Sequence, residues 1–187
     1  RRMIKYAPLL AAVILSGCGG SKLAETFDTR QNAGPCPPVG ALYDSSRYIE
    51  LDGGGELYTN IEYTGEVIDV RLFCRYVGTD PLKAELEIDF AFGKGPAADA
   101  STHTFPYYVA VIRRSGKVLA KEYFNVDANF GGNKLAGATE VIQTIEIPRV
   151  DESISGTNFE VIVGFELTEE QLEFNRAGKR FRMDAGQ

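Results

Sequence analysis

From Leu82 to Phe92 every even-numbered position is apolar: Leu82, Ala84, Leu86, Ile88, Phe90 and Phe92. Between them stand Lys83, Glu85, Glu87, Asp89 and Ala91, four of the five charged. An α-helix turns about 100° per residue and would drive these charges into whatever the apolar residues bury. A strand sends alternate side chains to opposite faces. The segment therefore predicts a strand with one face in a core and one in water.

The same period recurs along the chain. Glu66 to Val77 alternates with Ile68, Val70, Leu72, Cys74 and Tyr76 inward, and Gly78-Thr79-Asp80-Pro81 is a turn cluster that predicts an antiparallel hairpin. Tyr107–Arg114 and Val118–Val126 flank Ser115-Gly116 as a second hairpin. Ala138–Ile147, with Val141, Ile145 and Ile147 on one face, and Phe159–Leu167 follow, while Arg47–Leu51 and Leu57–Tyr63 read as shorter strands around Asp52-Gly53-Gly54-Gly55. About eight strands at regular spacing predict an all-β fold, an antiparallel β-sandwich of immunoglobulin-like architecture. The likeness to antibody domains ends at architecture, because the chain has no Trp and Leu72, not Tyr, stands two positions before Cys74.

One short C-terminal helix is expected. Thr168-Glu169-Glu170-Gln171 is a capping box with two carboxylates where the helix dipole favours them, and Gly178 suits the C-terminal cap. This helix should close one end of the sandwich, followed by a disordered basic tail over 179–187.

The start of the chain has a different character. Arg1, Arg2 and Lys5 precede an apolar stretch from Tyr6 to Leu15. Ten residues reach about 15 Å as a helix, half of a hydrocarbon core of about 30 Å, so the stretch is too short to span a membrane. A charged start, a short apolar run and small residues behind it describe a secretory signal peptide over 1–17. The sequence Leu15-Ser16-Gly17-Cys18 resembles the lipobox of bacterial lipoproteins. In that family the cysteine receives a diacylglyceryl thioether, the chain is cut before it, and the new amino terminus is acylated. The resemblance implies that Cys18 is a lipid attachment point. Gly19, in place of an Asp, implies delivery to the outer membrane on its periplasmic side.

Cleavage there would remove three of the twenty basic residues and none of the twenty-six acidic ones, leaving a formal charge of −9. Such a chain has no basic surface for nucleic acid, nor a polybasic face for anionic lipid, so membrane association would rest on acyl chains. Residues 18–35, small and polar, read as a flexible tether, with Leu23 and Phe27 as the alternative of one docking helical turn. The domain itself is expected over 36–178. With Cys18 lipidated, Cys36 and Cys74 remain, and in an oxidising compartment the pair predicts a disulfide. A metal pair would want further His or Cys ligands, and a redox pair is usually C-x-x-C.

Catalytic candidates are few. His103 is the sole imidazole and reads as a loop residue with no assigned role, Ser101 being too close in sequence to suggest a triad. No G-x-S-x-G elbow occurs. Asn125-Val126-Asp127-Ala128-Asn129 has the alternating oxygens of a calcium loop, but Phe130 and Ala136 stand where the EF-hand pattern needs Gly and Glu. The glycines at 53–55 and 131–132 read as turn residues. Glu85, Glu87 and Asp89 read as a solvated face that would also guard an edge if their strand is peripheral. Tyr43, Tyr48, Tyr58 and Tyr63 could form a contact patch, and Tyr107-Tyr108 must face opposite ways. No cofactor and no metal are expected. The sequence favours a non-enzymatic, lipid-anchored module that binds an envelope protein, with glycan or peptidoglycan-fragment binding as the alternative.

Overall fold

A computed structural model describes residues 35–76, 81–149 and 154–181. Cys18, the signal and tether segments up to residue 34, and the tail beyond 181 lie outside the described residues, as does the turn at 77–80. Among the described residues the strands are β1 (Val39–Ala41), β2 (Arg47–Leu51), β3 (Ile61–Arg75), β4 (Leu82–Lys94), β5 (Thr102–Arg113), β6 (Val118–Asn129), β7 (Leu135–Ile147) and β8 (Phe159–Phe165). One α-helix among the described residues, α1 (Glu169–Arg176), follows. The strands form two four-stranded sheets, β1-β8-β5-β6 and β2-β3-β4-β7. Every pairing is antiparallel except β1 with β8, which is parallel. The sandwich expected from period-two alternation is present.

All six even-numbered apolar residues of β4 are buried. Facing them across the sandwich are Phe105, Tyr107, Val109 and Val111 from β5 and Phe159, Val161, Val163 and Phe165 from β8, in one core cluster. Gly65 sits beneath the aromatic part of this core. A Cβ there would stand 2.9 Å from the Phe165 ring and 3.3 Å from Phe105, so the rings use the space a side chain would take. Strand β4 is interior, hydrogen-bonded to β3 and β7. Its outward carboxylates therefore guard no edge; two of them, Glu87 and Asp89, bind Arg71 across the sheet.

Strand β3 departs from expectation. The reading of two strands, Leu57–Tyr63 and Glu66–Val77, gives way to one strand of fifteen residues, with Leu57 ahead of a 3₁₀ turn at Tyr58–Asn60. A bulge between Val67 and Asp69 removes Ile68 from the ladder. Before it the odd positions Ile61, Tyr63 and Gly65 face inward; after it the even positions Val70, Leu72 and Cys74 do. Ile68, expected inside, is 58% exposed. One inserted residue flips the face of everything after it, which in sequence looks like a break between strands. Strand β7 repeats the effect. A bulge opposite Ala84 and Leu86 shifts the inward set from Ala136, Ala138 and Ile142 to Ile145 and Ile147. Val141, expected inside, is 48% exposed.

The helix forms as expected: the Thr168 side chain accepts from Gln171 N, the Gln171 side chain accepts from Thr168 N, and Gly178 follows the last turn with φ +71°. Its position is the surprise. Instead of closing an end, α1 lies along β2. Ser46 O accepts from Val67 N, so the alternation of an antiparallel pair turns the carbonyls of Arg47 and Ile49 away from β3. Asn175 Nδ2 donates to Arg47 O (2.7 Å) and Asp44 O (2.8 Å), and Gln171 Nε2 donates to Ile49 O (2.5 Å). The helix thus takes up the free edge of its sheet. Lys179 and Arg180, expected in the tail, pair with Glu56 and Glu66, and Phe181 stacks on Phe174.

Candidate functional site

Cys36 and Cys74 are bonded, with Cα atoms 5.6 Å apart, as the sequence predicts. The bridge ties the chain ahead of β1 to β3 in the opposite sheet. Beside it, Tyr76 Oη donates to Pro35 O (2.6 Å) and accepts from Gly156 N (2.7 Å). The point where the chain enters the domain is therefore held by the disulfide and the Tyr76–Pro35 hydrogen bond, and Gly156 in turn fixes Tyr76.

His103 is not in a loop; it lies in β5, two residues before Phe105. Pro106 makes the segment read as irregular, yet it stands opposite Glu166, just past the end of β8, where its carbonyl still accepts from Glu166 N and the missing N–H falls at the end of the ladder. The imidazole stacks on Tyr63 at 3.9 Å and 13° and meets Phe105 edge-on at 4.7 Å. Its Nε2 lies 3.0 Å from Glu50 Oε2, at ion-pair distance but not aligned as a hydrogen bond. The same carboxylate oxygen accepts from Tyr48 Oη at 2.9 Å. Burial first, and then that bond to Glu50, pushes the Tyr48 phenol well above its ordinary range. These contacts set the ring against the face of Tyr63, the edge of Phe105 and one carboxylate.

Glu50 also borders a groove of about 610 Å³ between β2, the glycine turn at 53–55 and α1. Its walls carry Glu50, Glu56, Glu170 and Glu173, with Gln171 and Leu51 between them and Lys179 at one side. Lys179 is paired with Glu56, which leaves the groove acidic. On the other side of Phe174 a hollow of about 250 Å³ is lined by Arg47, Glu66, Arg180 and Phe181. Arg47 stacks on Tyr43, 4.7 Å from the ring centroid, while its Nε and Nη2 are buried with no acceptor. A third concavity of about 430 Å³ is lined by Tyr58, Lys94, Asn133 and Lys134.

The other sequence candidates do not converge. Asn125, Asp127 and Asn129 belong to β6, where the period of two sets them in a row on the outer face about 7 Å apart instead of wrapping them round an ion. Asp127 accepts instead from Thr104 Oγ1 (2.6 Å). Among the described residues no group of three or more His, Cys, Asp or Glu is placed to hold a metal ion. The tyrosines scatter: Tyr63 and Tyr107 are in the core, Tyr48 packs against it, and Tyr43 and Tyr58 are exposed at separate sites. Tyr107 and Tyr108 do face opposite ways. Among the described residues no helix is long and apolar enough to cross a membrane.

Sequence reasoning missed three residues that matter. Asn175 looks like an ordinary polar helix position and Gln171 reads only as the residue that closes the capping box; nothing local marks either as a donor to the β2 edge. Glu140 takes an inward position of β7, opposite Ile88. Burial first, and then the nearby Asp127 carboxylate, hold its acid above the ordinary range.

No family model matches the chain, and no curated protein matches it. Among solved structures, the variable (V) domain of the Streptococcus agalactiae AgI/II polypeptide BspA is similar at 11% identity over 68% of this chain and 78% of that one. The TM-score is 0.19, too low for any argument about this chain to rest on it.

Proposed function

We propose that this protein is a lipid-anchored bacterial envelope lipoprotein, a non-enzymatic module held through Cys18 on the periplasmic side of the outer membrane and binding another envelope protein. The observation that carries the reading is Leu15-Ser16-Gly17-Cys18 placed directly behind a charged, then apolar, start. The Cys36–Cys74 bond supports it, because such bonds persist in oxidising compartments outside the cytosol. With Cys18 lipidated and the other two cysteines joined, no thiol is left for catalysis. The enclosure of His103 supports the non-enzymatic reading in the same way.

The groove beside α1 is the contact site this reading favours. Three carboxylates on regular elements, Glu50, Glu170 and Glu173, suit a basic segment of a partner. Mass spectrometry of the native protein is the first test, with an acylated Cys18 expected at the amino terminus; a bare thiol there, or an uncut precursor, overturns the anchor. Affinity capture from envelope extract should then enrich one protein with wild type and lose it with Glu170→Lys/Glu173→Lys. Recovery of bulk porins alone would refute the binding role.

A second reading, glycan or peptidoglycan-fragment binding, draws on the exposed Tyr58 at the 430 Å³ concavity, where an aromatic face and two lysines meet. It predicts that an envelope-glycan panel raises the melting temperature and that Tyr58→Ala removes the rise.

A further inference from the structure

Each sheet of the sandwich has two edges, and they are treated unequally. Strand β1 is only three residues long. Two edge carbonyls of β2, Arg47 O and Ile49 O, are taken by Asn175 and Gln171 of α1. Strand β7 is interrupted by its bulge between Ile142 and Ile145. Strand β6 is different: from Ala120 to Asn129 it pairs with β5 without interruption, and nothing among the described residues pairs with its other side. A regular edge of this length is a template for another strand.

The hydrogen bonds fix which residues offer that template. Phe130 N donates to Ser101 O, and on the far side of β5 Glu166 N donates to Pro106 O. The odd residues of β5 therefore bond to β6, and the even residues of β6 bond back. This leaves the N–H and C=O of Lys121, Tyr123, Asn125, Asp127 and Asn129 pointing away from the sheet.

We propose that β6 pairs antiparallel with β6 of a second copy of this chain, about a two-fold axis at Phe124. In that register Lys121 stands opposite Asp127 of the partner subunit, and Asp127 opposite Lys121 of the partner subunit. Both are odd positions whose backbone groups face the free edge, so the pairs are bonded ones. Sliding one repeat either way sets Lys121 against Asn129 or Asn125 of the partner subunit and loses both charge pairs. Lys121 is already positioned on the outer face, its ammonium over the rings of Tyr108 (4.1 Å) and Tyr123 (5.1 Å). Asp127 lies on that same face, held by Thr104. The association joins two four-stranded sheets into one of eight and covers Tyr123, now 58% exposed. An isologous contact needs self-complementarity, and the charge order of β6 supplies it. The inference goes beyond the proposed function and does not depend on whether Cys18 carries lipid.

The test is analytical ultracentrifugation of the full chain in detergent, with far-UV circular dichroism as the check on folding. Wild type should sediment as a dimer. Lys121→Asp sets like charges opposite each other at both ends of the contact, as does Asp127→Lys, so each variant alone should be folded and monomeric. An equimolar mixture of the two restores both pairs and should sediment as a dimer. A monomeric wild type would overturn the proposal, as would folded single variants that remain dimeric or a mixture that fails to reassociate. Association of wild type only with a different envelope protein would overturn it too.

Discussion

Asn175 is 2% exposed and donates from one amide nitrogen to two backbone carbonyls on different elements. Removing that nitrogen leaves two half-buried acceptors without it, so Asn175→Ala should cost about 1–2 kcal/mol, read as a lower urea midpoint with an unchanged slope. Arg47 presents the opposite case. Two of its nitrogens are buried with no acceptor among the described residues. Methionine keeps the length and removes the desolvated donors, so Arg47→Met should leave stability unchanged or raise it by about 1 kcal/mol in the same measurement. Glu140 is a third. Folding raises its acid above the ordinary range, so the unfolded chain ionises more readily, and the charged form at neutral pH opposes folding. Glu140→Gln should therefore stabilise at pH 7, by about 0.5 kcal/mol after solvent screening. The gain should shrink as the pH falls through the ordinary carboxylate range and vanish below it, at about pH 3, where neither state of the wild type carries the charge.

At the level of elements, Gln171 holds the helix twice. Its Oε1 accepts from Thr168 N and closes the capping box, while its Nε2 donates to the edge of β2. Thr168→Ala removes the cap alone and should cost about 1 kcal/mol. Gln171→Ala removes cap and edge contact together and should cost more. Amide hydrogen exchange should then quicken in β2 as well as in the helix, whereas Thr168→Ala should quicken mainly the helix. The disulfide acts on a longer stretch of chain. A closed loop of 38 residues constrains the unfolded state by about 4 kcal/mol in the chain-entropy account, and Cys36→Ser/Cys74→Ser should lower stability by about that amount in urea titration.

At the level of the molecule, acid should attack the outer face of the β2-β3-β4-β7 sheet first. Arg71 binds Asp69, Glu87 and Asp89, and Asp89 also accepts from Thr139. The Arg71 guanidinium, and then that hydroxyl, hold the Asp89 carboxyl below the usual carboxylate range. The unfolded chain takes up that proton first as the pH falls. The stability from this network is therefore complete above the ordinary carboxylate range and lost below it. Arg71→Met should flatten the acid limb of a stability–pH curve measured by thermal melting, and an unchanged limb would remove Arg71 from the account.

The strands of this chain were legible because burial of one face writes a period of two into the sequence. The capping box was legible because its partners lie within four residues of each other. The disulfide was inferable because a lipid on Cys18 would leave two cysteines to pair. The phase changes in β3 and β7 were not legible in the same way: a bulge needs a partner strand to be defined, and without one the shift at Ile68 reads as a gap. The placing of α1 along β2, the carbonyls met by Asn175 and Gln171, the enclosure of His103 by Tyr63 and Glu50, and the interior position of β4 all join residues from distant parts of the chain. Local pattern carries the faces of each strand because neighbours in sequence share one solvent boundary. It cannot carry which strand becomes an edge, because that depends on the order in which distant segments find each other, and only the assembled sandwich settles it.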